Sequence, residues 1–243
     1  MNVLILGGNG YLGPHVVRAL KGKHNLRVTD IKPPPEGEKY DWERLDVSDL
    51  DAVVRAAEGM DAIINLSVLR HDRKLAFDVS TRGSYNMMAA AVQHGIRRVI
   101  NTGPHFTITG ATYERFDHEI GPDVPPQPGT ILYALTKSLG HEVTRIFTEN
   151  HDIYVMMLLF YHFRYMYNRP DDERQFKPFT VTWDDAGAIF PLALEYPLEK
   201  LPSRFESFFV FADMPQRQFL NDKAKRVFGW QPTYNFESFW KRG

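Results

Sequence analysis

The sequence predicts an α/β fold built on a doubly wound, mainly parallel sheet. Three observations carry the prediction. Short apolar runs alternate with amphipathic stretches over roughly the first 160 residues, the order expected of βαβ units. The runs are continuously apolar rather than alternating, as strands covered on both faces must be. The first run also passes directly into a glycine-rich turn.

Taken in order, Val3-Leu4-Ile5-Leu6 reads as a buried strand, and Leu12–Leu20 as a helix with Leu12, Val16, Val17 and Leu20 on one face. Leu26–Asp30 is a second short strand. Ser48 is the expected N-cap of a helix over Leu50–Ala57. Ala62–Leu66 is a strand, Leu75–His94 a long helix stopped by Gly95, and Arg98–Asn101 a strand. Ile131–Asn150 is a second long helix, and Ile153–Phe160, the longest apolar run, has the length of a strand. Beyond Phe160 the pattern breaks. Tyr161–Lys177 mixes aromatic and charged residues without a period and reads as a loop over the site. Asp184–Glu195 reads as a helix, Phe208–Phe211 as a strand, and Asn221–Phe228 as a helix closed by Gly229. A terminal amphipathic segment carries Phe236, Phe239 and Trp240. Pro33–Pro35 and Pro122–Pro128 read as surface loops. The expected organisation is a nucleotide-binding domain over residues 1–160 and a small substrate lobe over 161–243, the latter helping to complete a sheet of about seven strands.

Composition narrows the function classes. A net charge of -1 offers no excess for nucleic acid or an anionic membrane. The absence of cysteine excludes disulfides, thiolate catalysis and cysteine-ligated zinc. The nine histidines show no H-x-x-x-H spacing, so no metal site is expected. No run approaches the roughly 20 apolar residues of a membrane span, and Val3–Leu6 is too short for a signal peptide. A cytoplasmic location is the expectation. Neither a G-x-S-x-G elbow nor a G-x-x-x-x-G-K-[ST] loop is present.

The turn reads Gly7-Gly8-Asn9-Gly10-Tyr11-Leu12-Gly13. Glycine is needed there for a tight turn, for close approach of backbone to a pyrophosphate, and for packing the helix against the strand. The pyrophosphate would meet free N–H groups at the helix N-terminus. Asp30 ends the next strand about 20 residues on, where an acidic side chain holds an adenosine ribose 2′-hydroxyl and repels a 2′-phosphate, so NAD is expected rather than NADP. Asp46 and Val47 are placed to meet the adenine, with a helix-capping role for Asp46 as the alternative. Asn9, Tyr11, Leu12 and Leu66 complete the expected cofactor contacts.

Tyr133 and Lys137 stand four apart at the start of a helix and so share a face. A nearby ammonium stabilises phenolate, so Lys137 is expected to lower the tyrosine's pKa and let Tyr133 exchange a proton with a substrate hydroxyl.

With Gly83 and Asn86 on the helix before them, these motifs resemble the extended short-chain dehydrogenase/reductases, also called the NAD-dependent epimerase/dehydratase family. Val181–Leu194 and Phe228-Gly229-Trp230-Gln231-Pro232 are similar to that family's C-terminal portion. Gly121-Pro122-Asp123-Val124-Pro125 and the short chain look most like the uronate dehydrogenases, which oxidise a sugar acid to its lactone with NAD. The resemblance implies a Rossmann fold and an NAD-dependent oxidoreductase acting on a sugar, sugar acid or related polyol. It further implies a homodimer formed by pairing the two long helices. A nucleotide-sugar epimerase or dehydratase is the alternative, as is a non-catalytic NAD-binding protein.

The chain departs from the family after the fifth strand, where Gly103 stands in place of the catalytic serine. Thr102 or Thr107 is a candidate to supply the hydroxyl. Alternatively His105 donates to the substrate oxygen, or the site has lost its chemistry. Ser80 takes the place of the family's asparagine on the fourth helix. For gripping a substrate carboxylate the candidates are Arg174 first, then Arg70, Arg164 and Arg169, with Tyr161 and neighbouring aromatics placed to stack on a sugar ring.

Overall fold

The computed structural model describes residues 1–108, 118–165 and 180–240. The chain opens with β1 (Asn2–Leu6), α1 (Gly13–Leu20), β2 (Asn25–Asp30), β3 (Trp42–Arg44), α2 (Leu50–Ala57) and β4 (Ala62–Asn65). Then come α3 (Arg73–Phe77), α4 (Gly83–Gln93), β5 (Arg98–Pro104), α5 (Leu132–Asn150) and β6 (Tyr154–Phe160). The remainder comprises β7 (His162–Arg164), β8 (Thr180–Thr182), α6 (Trp183–Glu195), β9 (Phe205–Phe209), α7 (Asp222–Phe228) and α8 (Glu237–Trp240). Seven strands form one sheet in the order β3-β2-β1-β4-β5-β6-β9, and every pairing is parallel. β7 and β8 make a separate parallel pair.

Strand alternation sorts the core into two layers. Val3 and Ile5 of β1 pack with Val16, Val17, Ile189 and Phe190 from α1 and α6. Leu4 and Leu6 face the other way, onto Val53, Met87 and Met88 from α2 and α4. Helices therefore cover both faces, which is why the strands carry no polar alternation.

Several boundaries differ from the sequence reading, each for a local reason. β3 was not foreseen because Trp42-Glu43-Arg44 is a short edge strand with two exposed charged residues. The cap of α2 is Asp49 rather than Ser48: its carboxylate accepts from the Ala52 N–H at 3.1 Å, while Ser48 donates its own N–H to Asp46. The helix expected from Leu75 starts at Arg73, capped by Asp72, and loosens into a π turn over Asp78–Arg82 before running on as α4. The strand expected over Phe208–Phe211 is β9, starting three residues earlier. Glu206 masked that start: it lies buried within the strand, paired with Lys223 of α7 at 2.5 Å. Tyr161–Lys177 is not wholly loop, since β7 lies within it; residues 166–177 of that stretch lie outside the described residues.

The C-terminal segment is pinned to α6 through Asp185. One carboxylate oxygen accepts from both the N–H and the hydroxyl of Thr233, at 3.0 and 2.7 Å, and the Trp230 indole N–H reaches the Asp185 carbonyl. Among the described residues no helix is long and apolar enough to cross a membrane.

Candidate active site

At the tip of β1 each glycine has its own reason. Gly7 has φ of +74°, and a Cβ there would stand 2.7 Å from the Ser67 backbone. A Cβ on Gly13 would overlap the Gly8 carbonyl, so glycine is what lets α1 begin against the turn. On Gly10 the nearest atom to a Cβ is the Gly7 oxygen at 3.5 Å, an ordinary contact. Protein packing does not demand glycine at position 10, and that residue lines the cavity. The helix behind the turn has no side-chain cap at Leu12, which leaves its first N–H groups for an anion.

Asp30 braces the turn: its carboxylate accepts from the Asn9 N–H at 3.0 Å and the Lys32 N–H at 3.1 Å, while the Asn9 amide donates to the Lys32 carbonyl. The Tyr40 hydroxyl donates to the Gly8 carbonyl at 3.2 Å. Burial, helped by Glu38 and Asp30, pushes that phenol up to about 12.

A cavity of about 310 Å³ runs from Gly7, Gly10, Tyr11, Leu12 and Gly13 past Leu66 and Thr102 to Tyr133 and Lys137. Arg70, Phe106, Phe160, Tyr161, Phe163 and Trp183 wall it further out. Phe163 and Trp183 stack at 4.3 Å between ring centres, joining β7 to the start of α6.

Tyr133 and Lys137 sit one turn apart on α5, both on the cavity. Lys137 is buried, with its ammonium donating to the Ser67 carbonyl at 2.7 Å and the Thr102 carbonyl at 3.1 Å. Burial, and then the charge of Arg70, lower its pKa to about 7. Burial raises the Tyr133 phenol. The opposing charge is Arg70 rather than the expected Lys137: its guanidinium lies 4.9 Å from the ring centre, and its charge pulls the phenol back down.

Other expected residues are placed differently. The Thr102 hydroxyl borders the cavity but donates to the Asn65 carbonyl at 2.8 Å, and Thr107 donates to the Pro104 carbonyl, so both hydroxyl protons are committed to backbone. His105, expected at the substrate, is wholly buried among Phe106, Tyr161, Phe211 and Phe219; it fills the core behind the cavity wall. Asp46 is exposed and accepts from the Ser48 N–H in the turn before α2; the helix cap is Asp49, so Asp46 does not take the capping alternative. Val47 is buried against Gly83, and its carbonyl accepts from Asn86. Ser80 is buried in the π turn, its carbonyl accepting from Ser84. Arg164 is buried on β7, away from solvent. Arg174 and Arg169 lie outside the described residues.

The sequence reading missed His141. It stands two turns beyond Tyr133 on the same face of α5, and a Cβ built on Gly103 would lie 2.5 Å from its Nε2. Burial, then the Lys137 ammonium, hold this imidazole neutral, down to about 3, against a weaker upward pull from the Thr102 backbone. The eight-residue spacing from Tyr133 was the available signal. Also missed were Asn65 at the end of β4 and Asn101 within β5, hydrogen-bonded to each other, and Trp183, which stacks on the expected Phe163.

A crevice beyond the carboxyl ends of β1, β4 and β5 is where doubly wound sheets bind nucleotides. The chain belongs to the NAD dependent epimerase/dehydratase family, whose pattern matches residues 3–175. It is 30% identical over 156 residues to a uronate dehydrogenase of Pseudomonas putida, a match covering 62% of this chain and 57% of that enzyme. It is 23% identical to an NAD-dependent glucose-6-phosphate dehydrogenase of Haloferax volcanii, over 98% of this chain and 95% of that one. The match thus spans a little over half the length of the Pseudomonas enzyme. A crystal structure of uronate dehydrogenase from Agrobacterium tumefaciens superposes with a TM-score of 0.80 at 21% identity, covering 98% of this chain and 86% of that one. At that identity the likeness is one of fold.

Proposed function

We propose that the protein is an NAD-dependent oxidoreductase that moves a hydride between a sugar, sugar acid or related polyol and the nicotinamide, with Tyr133 as general acid and base. The observation that carries this reading is the single cavity joining the glycine turn to the Tyr133 and Lys137 pair. The sugar and uronate dehydrogenases among its relatives support the substrate class.

The residues present fit a dinucleotide. Gly10 leaves backbone open to the cavity, the first N–H groups of α1 face it, and Asp30 carries the charge that selects a free ribose 2′-hydroxyl. When bound, the nicotinamide supplies the hydride acceptor and, oxidised, a positive charge. Tyr133 takes the proton of the substrate hydroxyl as the carbon gives up its hydride and a carbonyl forms; in reverse it returns that proton. Lys137, anchored to the Ser67 and Thr102 carbonyls, fixes the floor of the site beneath the tyrosine. Phe163 and Trp183, stacked on each other, give the substrate end of the cavity an apolar wall.

We also read the protein as a cytoplasmic homodimer. Exposed Tyr85 and Val92 on α4 and Leu139 and Ile146 on α5 support pairing through those helices.

The test is formation of reduced nicotinamide, followed by absorbance, against a panel of aldoses, uronic acids and polyols, with Tyr133→Phe as control. Turnover on one class that vanishes in the variant is the expected result. NAD binding with no turnover on any substrate would overturn the oxidoreductase reading.

A further inference from the structure

Among the described residues position 103 offers no hydroxyl beside Tyr133, and the space one would need is taken. A side chain at position 103 would run into the imidazole of His141, which projects from the same face of α5 as Tyr133 and Lys137. The two nearby threonine hydroxyls donate elsewhere. Lys137 is held to two backbone carbonyls, which leaves Arg70 as the cation of this wall, among the described residues, with no backbone hydrogen bond to hold it back from Tyr133. Arg70, in the loop between β4 and α3, borders the cavity and lays its guanidinium over the tyrosine ring.

We propose that Arg70 is the second catalytic group of this site, activating Tyr133 and donating to the substrate oxygen, because His141 fills the space at Gly103 from which a hydroxyl would otherwise reach. The assignment rests on the oxidoreductase reading above. A guanidinium has five fixed donors and stays charged at any working pH, so it can bond the phenol with one N–H and a developing oxyanion with another. It is also the charge that draws Tyr133 back from the rise imposed by burial. Among the described residues the titratable groups around Tyr133 are Arg70 from the loop, Lys137 and His141 from its own helix, and His105 and Tyr161 across Phe106. Lys137 points its ammonium at two carbonyls, and the imidazole of His141 is neutral, so Arg70 is the group whose charge Tyr133 feels.

The experiment compares wild type, Arg70→Met, Arg70→Lys, Gly103→Ser and the double variant Gly103→Ser/His141→Ala. It measures kcat, KM and the pH dependence of kcat on the best substrate of the panel, with NADH binding and melting temperature as checks on the fold. Loss of one polarising donor lowers kcat by about 10²–10³-fold, and that fall is expected of Arg70→Met with KM little changed. Its rising pH limb should move to higher pH, because removing a neighbouring positive charge raises the phenol. Arg70→Lys, which keeps the charge and loses the fork, should restore the limb and part of the rate. Gly103→Ser should lose activity alone and regain it when His141→Ala opens the space. A rise in KM with kcat and the limb unmoved would assign Arg70 to substrate grip and overturn the proposal, as would a gain in kcat from Gly103→Ser with His141 intact. Should the serine variants fail to fold, the Arg70 pair decides. Should wild type turn over no substrate, ultraviolet titration of the Tyr133 phenol, taken as the difference from Tyr133→Phe, still reads the coupling. An upward shift in Arg70→Met supports it, and an unmoved midpoint refutes it while leaving the failure of the oxidoreductase reading a separate result.

Discussion

Replacing Gly13 and Gly10 separately by alanine distinguishes packing from ligand approach within one turn. The Cβ added at Gly13 overlaps the Gly8 carbonyl and stands 3.0 Å from the Gly8 Cα, where carbon pairs settle at about 3.5–4.0 Å. The first turn of α1 or the loop itself must move, and overpacking of this kind costs about 1–3 kcal/mol. In a chain of this size each kcal/mol lowers Tm by about 2–4 °C, so Gly13→Ala should melt roughly 2–12 °C below wild type. The Cβ added at Gly10 meets nothing closer than 3.5 Å. Gly10→Ala should therefore melt within about 2 °C of wild type, as substitutions worth under about 0.5 kcal/mol do. It should nevertheless lose the stabilisation of about 2.7 kcal/mol that NAD at 100 times its Kd gives wild type. Differential scanning fluorimetry with and without NAD reads both quantities. If Gly10→Ala melts as low as Gly13→Ala yet is still stabilised by NAD, the two roles have been assigned to the wrong glycines.

Three further outcomes follow from the site. The unfolded chain protonates Lys137 below about 10.5 and the folded protein only below about 7, so between those values the unfolded state binds the extra proton and stability rises with pH. In Lys137→Met, urea midpoints measured from pH 7 to 10 should lose that part of the rise. His141 contributes stability that is complete above its ordinary value of 6.5 and gone as pH falls to about 3; His141→Gln should unfold over a shallower acid transition by circular dichroism. Asp30→Ala removes a charged acceptor worth about 1.5–3 kcal/mol, so NAD affinity by calorimetry should fall by roughly 10- to 150-fold and the preference over NADP should narrow. An unchanged preference would remove Asp30 from cofactor selection.

What was legible in the sequence is what local spacing determines. The glycine turn, the strand that feeds it and the four-residue step from Tyr133 to Lys137 are fixed by neighbours a few residues apart, and the turn and the Tyr133 and Lys137 pair lie on one cavity. What was not legible depends on approach across the sheet. Gly103 reads as a lost serine until α5 is laid beside β5 and His141 is found against it. His105 reads as a polar site residue because its partners in the core, Tyr161, Phe211 and Phe219, are supplied by segments far along the chain. Ser48 and Asp49 are both good caps, and one residue of register in the turn after Asp46 decided between them. Glu206 hid the start of β9 because its counterion, Lys223, arrives only with α7.

The parallel sheet sets a timetable for synthesis as well as a shape. Among the described strands no neighbours are joined by a hairpin, and β6, a strand of seven residues with six of them buried, gains its outer neighbour β9 only after about 45 further residues. At roughly 5–20 residues per second that interval lasts about 2–9 s on the ribosome. Throughout it, the unpaired N–H and C=O groups along one edge of this apolar strand are open to pairing with any other strand. A nascent chain paused between Phe160 and Phe205 is thus a client for chaperones, and one that has passed Phe209 has closed its own edge.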